Sequence, residues 1–317
     1  MMDRTDRHFR YMLRLLSPDL LLYTEMVVAQ ALLHGDRQRL LGYAPAEHPL
    51  VLQLGGSDPG QLAAAAEYGE RAGYDAINLN IGCPSDRVQS GRFGACLMAE
   101  PEQVAACVQR IRSAVSLPVT VKTRIGIDDR DDYAFLLDFV CACADAGCTA
   151  FIVHARKAIL AGLSPAENRS IPPLDYQRVY RLKADMPWLD IVINGGIRST
   201  SEVVEHLRHV DGVMIGRQAY ATPYWLTELQ TTLFPERAWQ APGRAEVLER
   251  MADYAATVVA EGGRVRHVTR HLLGLYAGMP GARAWRRYVT ESAAAPDATP
   301  SLLRESLDFV AASETIA

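Results

Sequence analysis

The residue types that could do chemistry in this chain fall at the ends of apolar runs. The clearest is Cys83, in the stretch NLNIGCPS at residues 78–85, where an alternating apolar pattern stops in a Gly-Cys-Pro turn. Pro84 fixes the local backbone and removes a competing donor, so the thiol is presented at the end of the run. A thiol is a nucleophile or, when protonated at neutral pH, a proton donor. A cysteine hydrolase would need a His/Asn pair to activate the sulfur, and none is evident along the chain. A donor role is therefore better supported than acyl transfer. Lys122 follows PVTV at an alternating position, and a lone ammonium among apolar strand residues is costly without an anionic partner. His154 fits a satisfied core histidine, the commoner fate of a lone His, and Arg156 and Lys157 in the same turn make an anion-facing role at least its equal.

These residues need a scaffold that brings strand ends together. Seven aliphatic or β-branched runs recur, LLLYTEMV, PLVLQLGG, AINLNIGCP, PVTVKTRIG, AFIVHARK, DIVINGGI and GVMIGRQA, with helical periodicity between most of them. Asp58-Pro59 opens one helix that closes near Gly73, and Pro101 opens another. Alternating strand and helix means parallel pairing with right-handed crossovers, and seven or eight such units predict an α/β fold of the (β/α)8 TIM-barrel type. An open doubly wound sheet would carry a GxGxxG turn after an early strand, and none is present. In a barrel the working residues sit at the C-terminal strand ends. The runs here finish in Glu25, Gln53, Asn80 with Cys83, Lys122 with Arg124, His154 with Arg156 and Lys157, Asn194-Gly195-Gly196, and Gly216-Arg217. The last two pairs of glycine-rich ends match the barrel's phosphate position, where backbone N–H groups can approach and an arginine adds a charged fork. Lys122 would suit the negatively charged edge of a reduced flavin, and Gln53 can both donate to and accept from the same ring edge.

The front of the chain is incomplete as a barrel. Residues 3–16 read as a helix that a strand should precede, and only Met1 and Met2 stand where that strand would be. Either strand one is missing or the start lies inside a longer reading frame. After about Gln230 the strand pattern stops, and 245–261 and 301–312 read as the clearest helices of an all-helical C-terminal part. The expected division is a catalytic barrel at 1–235 and a helical domain at 236–317.

The 317 residues, 49% of them apolar, suffice for such an arrangement. No run is long enough to span a membrane, and the start MMDRTDRHFR lacks the features of a signal peptide. A cytoplasmic protein is expected. The six cysteines contain no CxxC, which favours neither a disulfide framework nor a zinc site. Net charge is −4, yet residues 262–290 hold no Asp or Glu while containing Arg264, Arg266, Arg270, Arg283, Arg286 and Arg287 with His267 and His271. A local basic surface of that kind can neutralise phosphates.

The segments MMDRTDRHFR, LLYTEMV, NLNIGCPSDRVQSGRFGACLM, VKTRIGID, VHARKAILAGLSP, IPPLDY, INGGI, IGRQAY and HLLGLYAGMPGARAWRR together resemble the FMN-dependent tRNA-dihydrouridine synthases, in particular their A subgroup. Members resembling this chain pair an FMN-binding barrel with a helical domain that grips tRNA. The resemblance implies FMN contacts from Met1, Met2, Gln53, Lys122, His154, Asn194, Gly195, Gly196, Gly216 and Arg217. It implies Cys83 as the acid, Asn80 as a substrate contact, and tRNA contacts from Arg156, Lys157, Arg283, Arg286 and Arg287. The implied reaction is reduction of uridines 20 and 20a in the tRNA D-loop: NADPH reduces FMN, hydride passes from flavin N5 to C6, and Cys83 protonates C5. A monomer is expected. SGRFGACLM reads equally as a mobile loop closing over the base or as an ordinary surface loop.

Two features depart from the family pattern. The strand ending Ala-Pro-Met-Met is reduced to Met1 and Met2, and Arg4 stands where tryptophan is frequent. A chain begun at Met1 is expected to hold FMN poorly, and an upstream extension to raise flavin occupancy. Two other functions compete. A flavin barrel reducing a free pyrimidine, as dihydroorotate dehydrogenases act on one, would share the flavin lysine but gives no reason for the arginine-rich tail. A noncatalytic RNA-binding barrel leaves Cys83, Lys122 and His154 unexplained.

Overall fold

The computed structural model describes residues 1–310. Each of the seven apolar runs forms a strand: β1 (Leu22–Val28), β2 (Leu50–Gly55), β3 (Ala76–Asn80), β4 (Val119–Arg124), β5 (Ala150–His154), β6 (Asp190–Asn194) and β7 (Gly212–Met214). They make one sheet in the order β1-β2-β3-β4-β5-β6-β7, every neighbouring pair parallel. This is the strand order of a TIM-like β/α barrel with seven strands. β2 is buried at every position, as a strand covered on both faces should be. Connecting helices begin where the sequence provides caps. Asp58 accepts the Gln61 N–H at 2.7 Å ahead of the helix Pro59–Arg71, and Pro101 occupies the first turn of Pro101–Arg112.

Residues 1–6 lie outside any strand. The first helix is Arg7–Leu16, beginning four residues later than the sequence pattern suggests, because the Asp6 carboxylate accepts the N–H groups of His8 and Phe9 at 3.0 and 3.1 Å. By contact the chain divides into two compact units. The first comprises Met1 with residues 21–43 and 48–215, and the second comprises residues 2–20, 44–47 and the chain from Gly216 onward. The change of unit thus falls after Ile215, whereas the sequence pattern changes near residue 235. The second unit also takes in the N-terminal helix.

That helix is built into the second unit's core. Phe9 packs on Tyr220 with ring centroids 4.9 Å apart, Tyr11 stacks on Tyr254 at 4.1 Å, and Ser17 donates to the fully buried Gln230 at 2.6 Å. Arg10 forms a buried ion pair with Glu47 at 2.6 Å. The remaining helices of this unit include Leu226–Leu233, Arg244–Ala260, Val265–Thr269, Ala282–Ala294 and Ser301–Glu305. The helix expected over 301–312 ends early and tightens into a 3₁₀ turn, Ser306–Phe309. There the buried Ser306 hydroxyl donates to Leu303 O at 2.6 Å and accepts the Trp285 indole N–H at 2.9 Å. Residues 311 and 312 of that expectation lie outside the described residues.

Candidate active site

Alternation along the strands decides which side chains meet. On β4, Thr120, Lys122 and Arg124 share one face, and on β3 Asn78 and Asn80 do the same. Register sets Asn80 opposite Lys122, Arg124 opposite His154, and His154 opposite Asn194. The result is a polar ladder across the sheet. The Gln53 amide donates to Asn78 Oδ1 at 2.9 Å, and Asn78 donates to Thr120 Oγ1 at 2.8 Å. Asn80 Nδ2 in turn donates to Gln53 Oε1 at 2.8 Å.

Asn80 also shapes the turn that carries the thiol. Its Oδ1 accepts the N–H groups of both Gly82 and Cys83 at 3.1 Å. Cys83 is half-buried, and its Sγ donates to Ser85 Oγ at 3.5 Å. Ser85 stands at the N-cap of the short helix Asp86–Ser90 without making a capping bond, so its hydroxyl serves the thiol. The segment that reads as a loop closing over a base is packed: Phe93, Ala95, Leu97 and Met98 are buried, and the Ala95 N–H donates to Cys83 O at 2.9 Å.

Among the described residues, Lys122 and Arg124 have no carboxylate partner. Lys122 Nζ donates to the neutral Asn194 Oδ1 at 3.2 Å, while Asn194 Nδ2 is held by Met214 O at 2.7 Å. Desolvation pulls the Lys122 ammonium down to about 8, and the nearby Arg124 charge pushes the same way. Arg124 is buried, and desolvation lowers it to about 10, with Arg169 and Arg156 adding repulsion. Among the described residues, the one group that favours charge on either side chain is Cys83, as its thiolate. Such an arrangement is stabilised by an anion.

Gly195 and Gly196 have φ of +118° and +78°, and a Cβ on Gly195 would stand 2.5 Å from His154 Cδ2. Only glycine lets this backbone turn against the buried His154. Tyr176 fixes the turn by donating to Gly195 O at 2.7 Å.

The structure thus gathers Gln53, Asn80, Cys83, Lys122, His154, Asn194, Gly195 and Gly196 at adjacent strand ends of the first unit. Gly216 and Arg217 open the second unit directly after Ile215, with Arg217 exposed. Met1 and Met2 are exposed and precede the first helix. Arg156 and Lys157 are committed within the protein. Arg156 donates to Ser170 O and Pro172 O, while Lys157 pairs with Asp131 at 2.8 Å and donates to Asp128 O at 2.9 Å. In the second unit Arg283, Arg286 and Arg287 are exposed on the helix Ala282–Ala294 and form no ion pair among the described residues. Arg264 and Arg266 are likewise exposed. His271 does not join that surface: it is buried and bonded to Asp6 at 2.8 Å.

Sequence reasoning places Arg124 at a strand end without a specific role and gives none to Asn78, Thr120, Asn168 or Gln89. The first three carry a legible signal, since period-two spacing puts them on the face of Asn80 and Lys122. Asn168 and Gln89 lie off the strands, and no periodicity marks them.

A parallel β/α barrel with a cationic, amide-lined end around one thiol defines the class. The sequence profile of the dihydrouridine synthase family matches residues 1–312. Curated relatives agree over nearly the whole length. The tRNA-dihydrouridine(20/20a) synthase of Synechocystis sp. is 56% identical over 307 residues, 97% of this chain and 92% of the relative. The Shewanella oneidensis protein of that name is 56% identical over 293 residues, 92% and 87% of the two chains. The one from Salmonella typhimurium is 55% identical over 312 residues, 98% and 93%. The chain belongs to the dihydrouridine synthase family.

Proposed function

We propose that this enzyme reduces uridines 20 and 20a of the tRNA D-loop to 5,6-dihydrouridine, with FMN at the strand ends of the first unit and NADPH as reductant. The observation that carries the reading is Lys122, a desolvated cation whose hydrogen-bond partner is a neutral amide and which meets no carboxylate among the described residues. The donors present suit an anionic, hydrogen-bonding ring system with a phosphate tail. Lys122 and Asn194 would hold the ring, and His154 and the Gly195–Gly196 turn would lie along the cofactor. Gln53 already spends one donor and one acceptor on Asn78 and Asn80, and its second amide hydrogen remains for the ring edge. Bound and reduced, FMN supplies the hydride that adds to C6 of the uracil.

Cys83 supplies the proton. Addition at C6 leaves enolate-like charge over C5 and O4, and an acid fixed beside C5 quenches that charge as it develops. Asn80 holds the backbone on which the thiol sits. The Lys122 and Arg124 charges stabilise the sulfur once its proton has left. A stacked uridine cannot reach this thiol, so the nucleotide must be extruded, at a cost of about a few kcal/mol. Exposed Arg283, Arg286 and Arg287, without an ion pair among the described residues, offset that cost through the tRNA backbone, whereas Arg156 and Lys157 shape the loop after β5. The first unit carries the catalysis and the second grips tRNA, in a cytoplasmic monomer. Replacing Cys83 with alanine is expected to slow uridine reduction by about two to four orders of magnitude; a variant reducing tRNA at full rate would overturn the reading.

A further inference from the structure

Arg124 spends its guanidinium on the backbone of two loops that flank the thiol. Nε donates to Gly82 O at 2.9 Å, and Nη1 donates to Lys157 O at 2.9 Å and to Asn168 O at 3.0 Å. Gly82 immediately precedes Cys83. Lys157 and Asn168 belong to the long segment after β5, which Asn168 folds on itself. The Asn168 amide accepts the Ile159 N–H at 2.7 Å and donates to Ile159 O at 2.8 Å and Leu163 O at 3.2 Å. A second tie runs outside the first: Gln89 Nε2 donates both to Pro84 O at 2.9 Å and to Leu160 O at 2.7 Å. The residues on either side of Cys83 are therefore fastened to one and the same segment, by Arg124 from within and by Gln89 from without.

Buried carbonyls do not need a guanidinium, because neutral donors satisfy them at lower desolvation cost. What an arginine adds is a rigid planar fork that reaches three acceptors in a fixed geometry. Asn80 holds the N–H groups of the Gly82–Cys83 turn while Arg124 holds its carbonyl. The turn is pinned through both polarities.

The geometry points to Arg124 as a positioning residue for the proposed acid: it locks the Cys83 turn to the segment 157–168, and so fixes where the thiol stands when a base enters. The inference rests on Cys83 acting as the proton donor. Lysine at this position keeps a charge but cannot span the three carbonyls, so Arg124→Lys separates the tether from the field. A displacement on the order of 1 Å costs about a hundredfold in rate.

The test compares wild type, Arg124→Lys, Gln89→Ala and Cys83→Ala. Flavin reduction by NADPH and flavin reoxidation by tRNA are followed separately, and alkylation of Cys83 by iodoacetamide is resolved by peptide mass in flavin-free protein. Arg124→Lys is expected to reduce flavin at the wild-type rate, to be reoxidised by tRNA about a hundredfold more slowly, and to alkylate faster at Cys83 with Cys96 and Cys141 unchanged. Gln89→Ala, a half-exposed change, shows the same pattern at smaller amplitude and carries the test if Arg124→Lys does not fold. Wild-type reoxidation and alkylation in the folded variants, with Cys83→Ala slow, would overturn the positioning role alone. Full-rate Cys83→Ala would overturn the acid assignment beneath it.

Discussion

Two buried sites, one in each unit, handle charge in opposite ways. In the second, Arg10 is 4% exposed and Glu47 is 0% exposed, and they meet at 2.6 Å. Burial pushes the Glu47 carboxyl up while the Arg10 charge pulls it back. Glu47 further accepts the Ala44 N–H at 2.6 Å, and Arg14 donates to Glu47 O at 2.8 Å. Arg10 and Glu47 are each other's opposite, as packing requires, while the buried Arg14 beside them donates to the carbonyls of Ser17, Pro18, Leu20 and Glu47. In the first unit Lys122 and Arg124 are also desolvated, yet amides and carbonyls are their hydrogen-bond partners. The chain has only three lysines. Lys157 and Lys183 each reach a carboxylate at 2.8 Å, and Lys122 does not. A charge left without its opposite marks the place where a ligand completes the structure.

The contrast is broken most severely from the structural side. Arg10→Met strands the Glu47 carboxylate and is expected to lower unfolding free energy by about 3–5 kcal/mol, read by denaturant midpoint, with turnover per folded molecule retained. Lys122→Met should do the reverse. The ligand-free protein becomes no less stable, because a desolvated cation is removed, while FMN affinity falls about tenfold to a hundredfold, the worth of a charge-assisted bond of about 1.5–3 kcal/mol. A destabilised Lys122→Met protein with wild-type FMN affinity would mean that the lysine is structural after all. The smallest effect lies on the exposed arginines. Arg287→Ala should weaken tRNA binding a few-fold and reduce the magnitude of the salt slope of log K by about one, without altering flavin binding.

Much of this was legible in the chain. The seven strands follow from apolar runs bounded by turn residues, and the Asn80, Cys83, Lys122, His154 and Asn194 cluster follows from strand ends in a parallel sheet. Period two also foretells that Asn78 and Thr120 lie beneath that cluster. Other features depend on tertiary partners with no local trace. The N-terminal helix belongs to the second unit because Phe9, Arg10 and Ser17 find Tyr220, Glu47 and Gln230, residues 37 to 213 positions away. His271 looks like part of a basic surface until Asp6 claims it. Arg156 and Lys157 look free for phosphate, yet Arg156 donates to the carbonyls of Ser170 and Pro172 and Lys157 reaches Asp128 and Asp131.

The unfilled charge at Lys122 can be watched directly. In protein carrying ¹³C-labelled lysine, three side-chain signals report the whole set. In the flavin-free protein Lys122 should titrate at about 8, below the ordinary lysine value of about 10.4. Over that interval the unfolded chain binds the extra proton, so stability of the flavin-free protein rises with pH. Reduced FMN, bound as proposed, would set the anionic edge of its ring against the ammonium and move the midpoint upward, and by linkage its affinity would fall as pH climbs past about 8. The account predicts that upward movement for Lys122, with the Lys157 and Lys183 signals left in place. A Lys122 midpoint unchanged by saturating reduced FMN would contradict it.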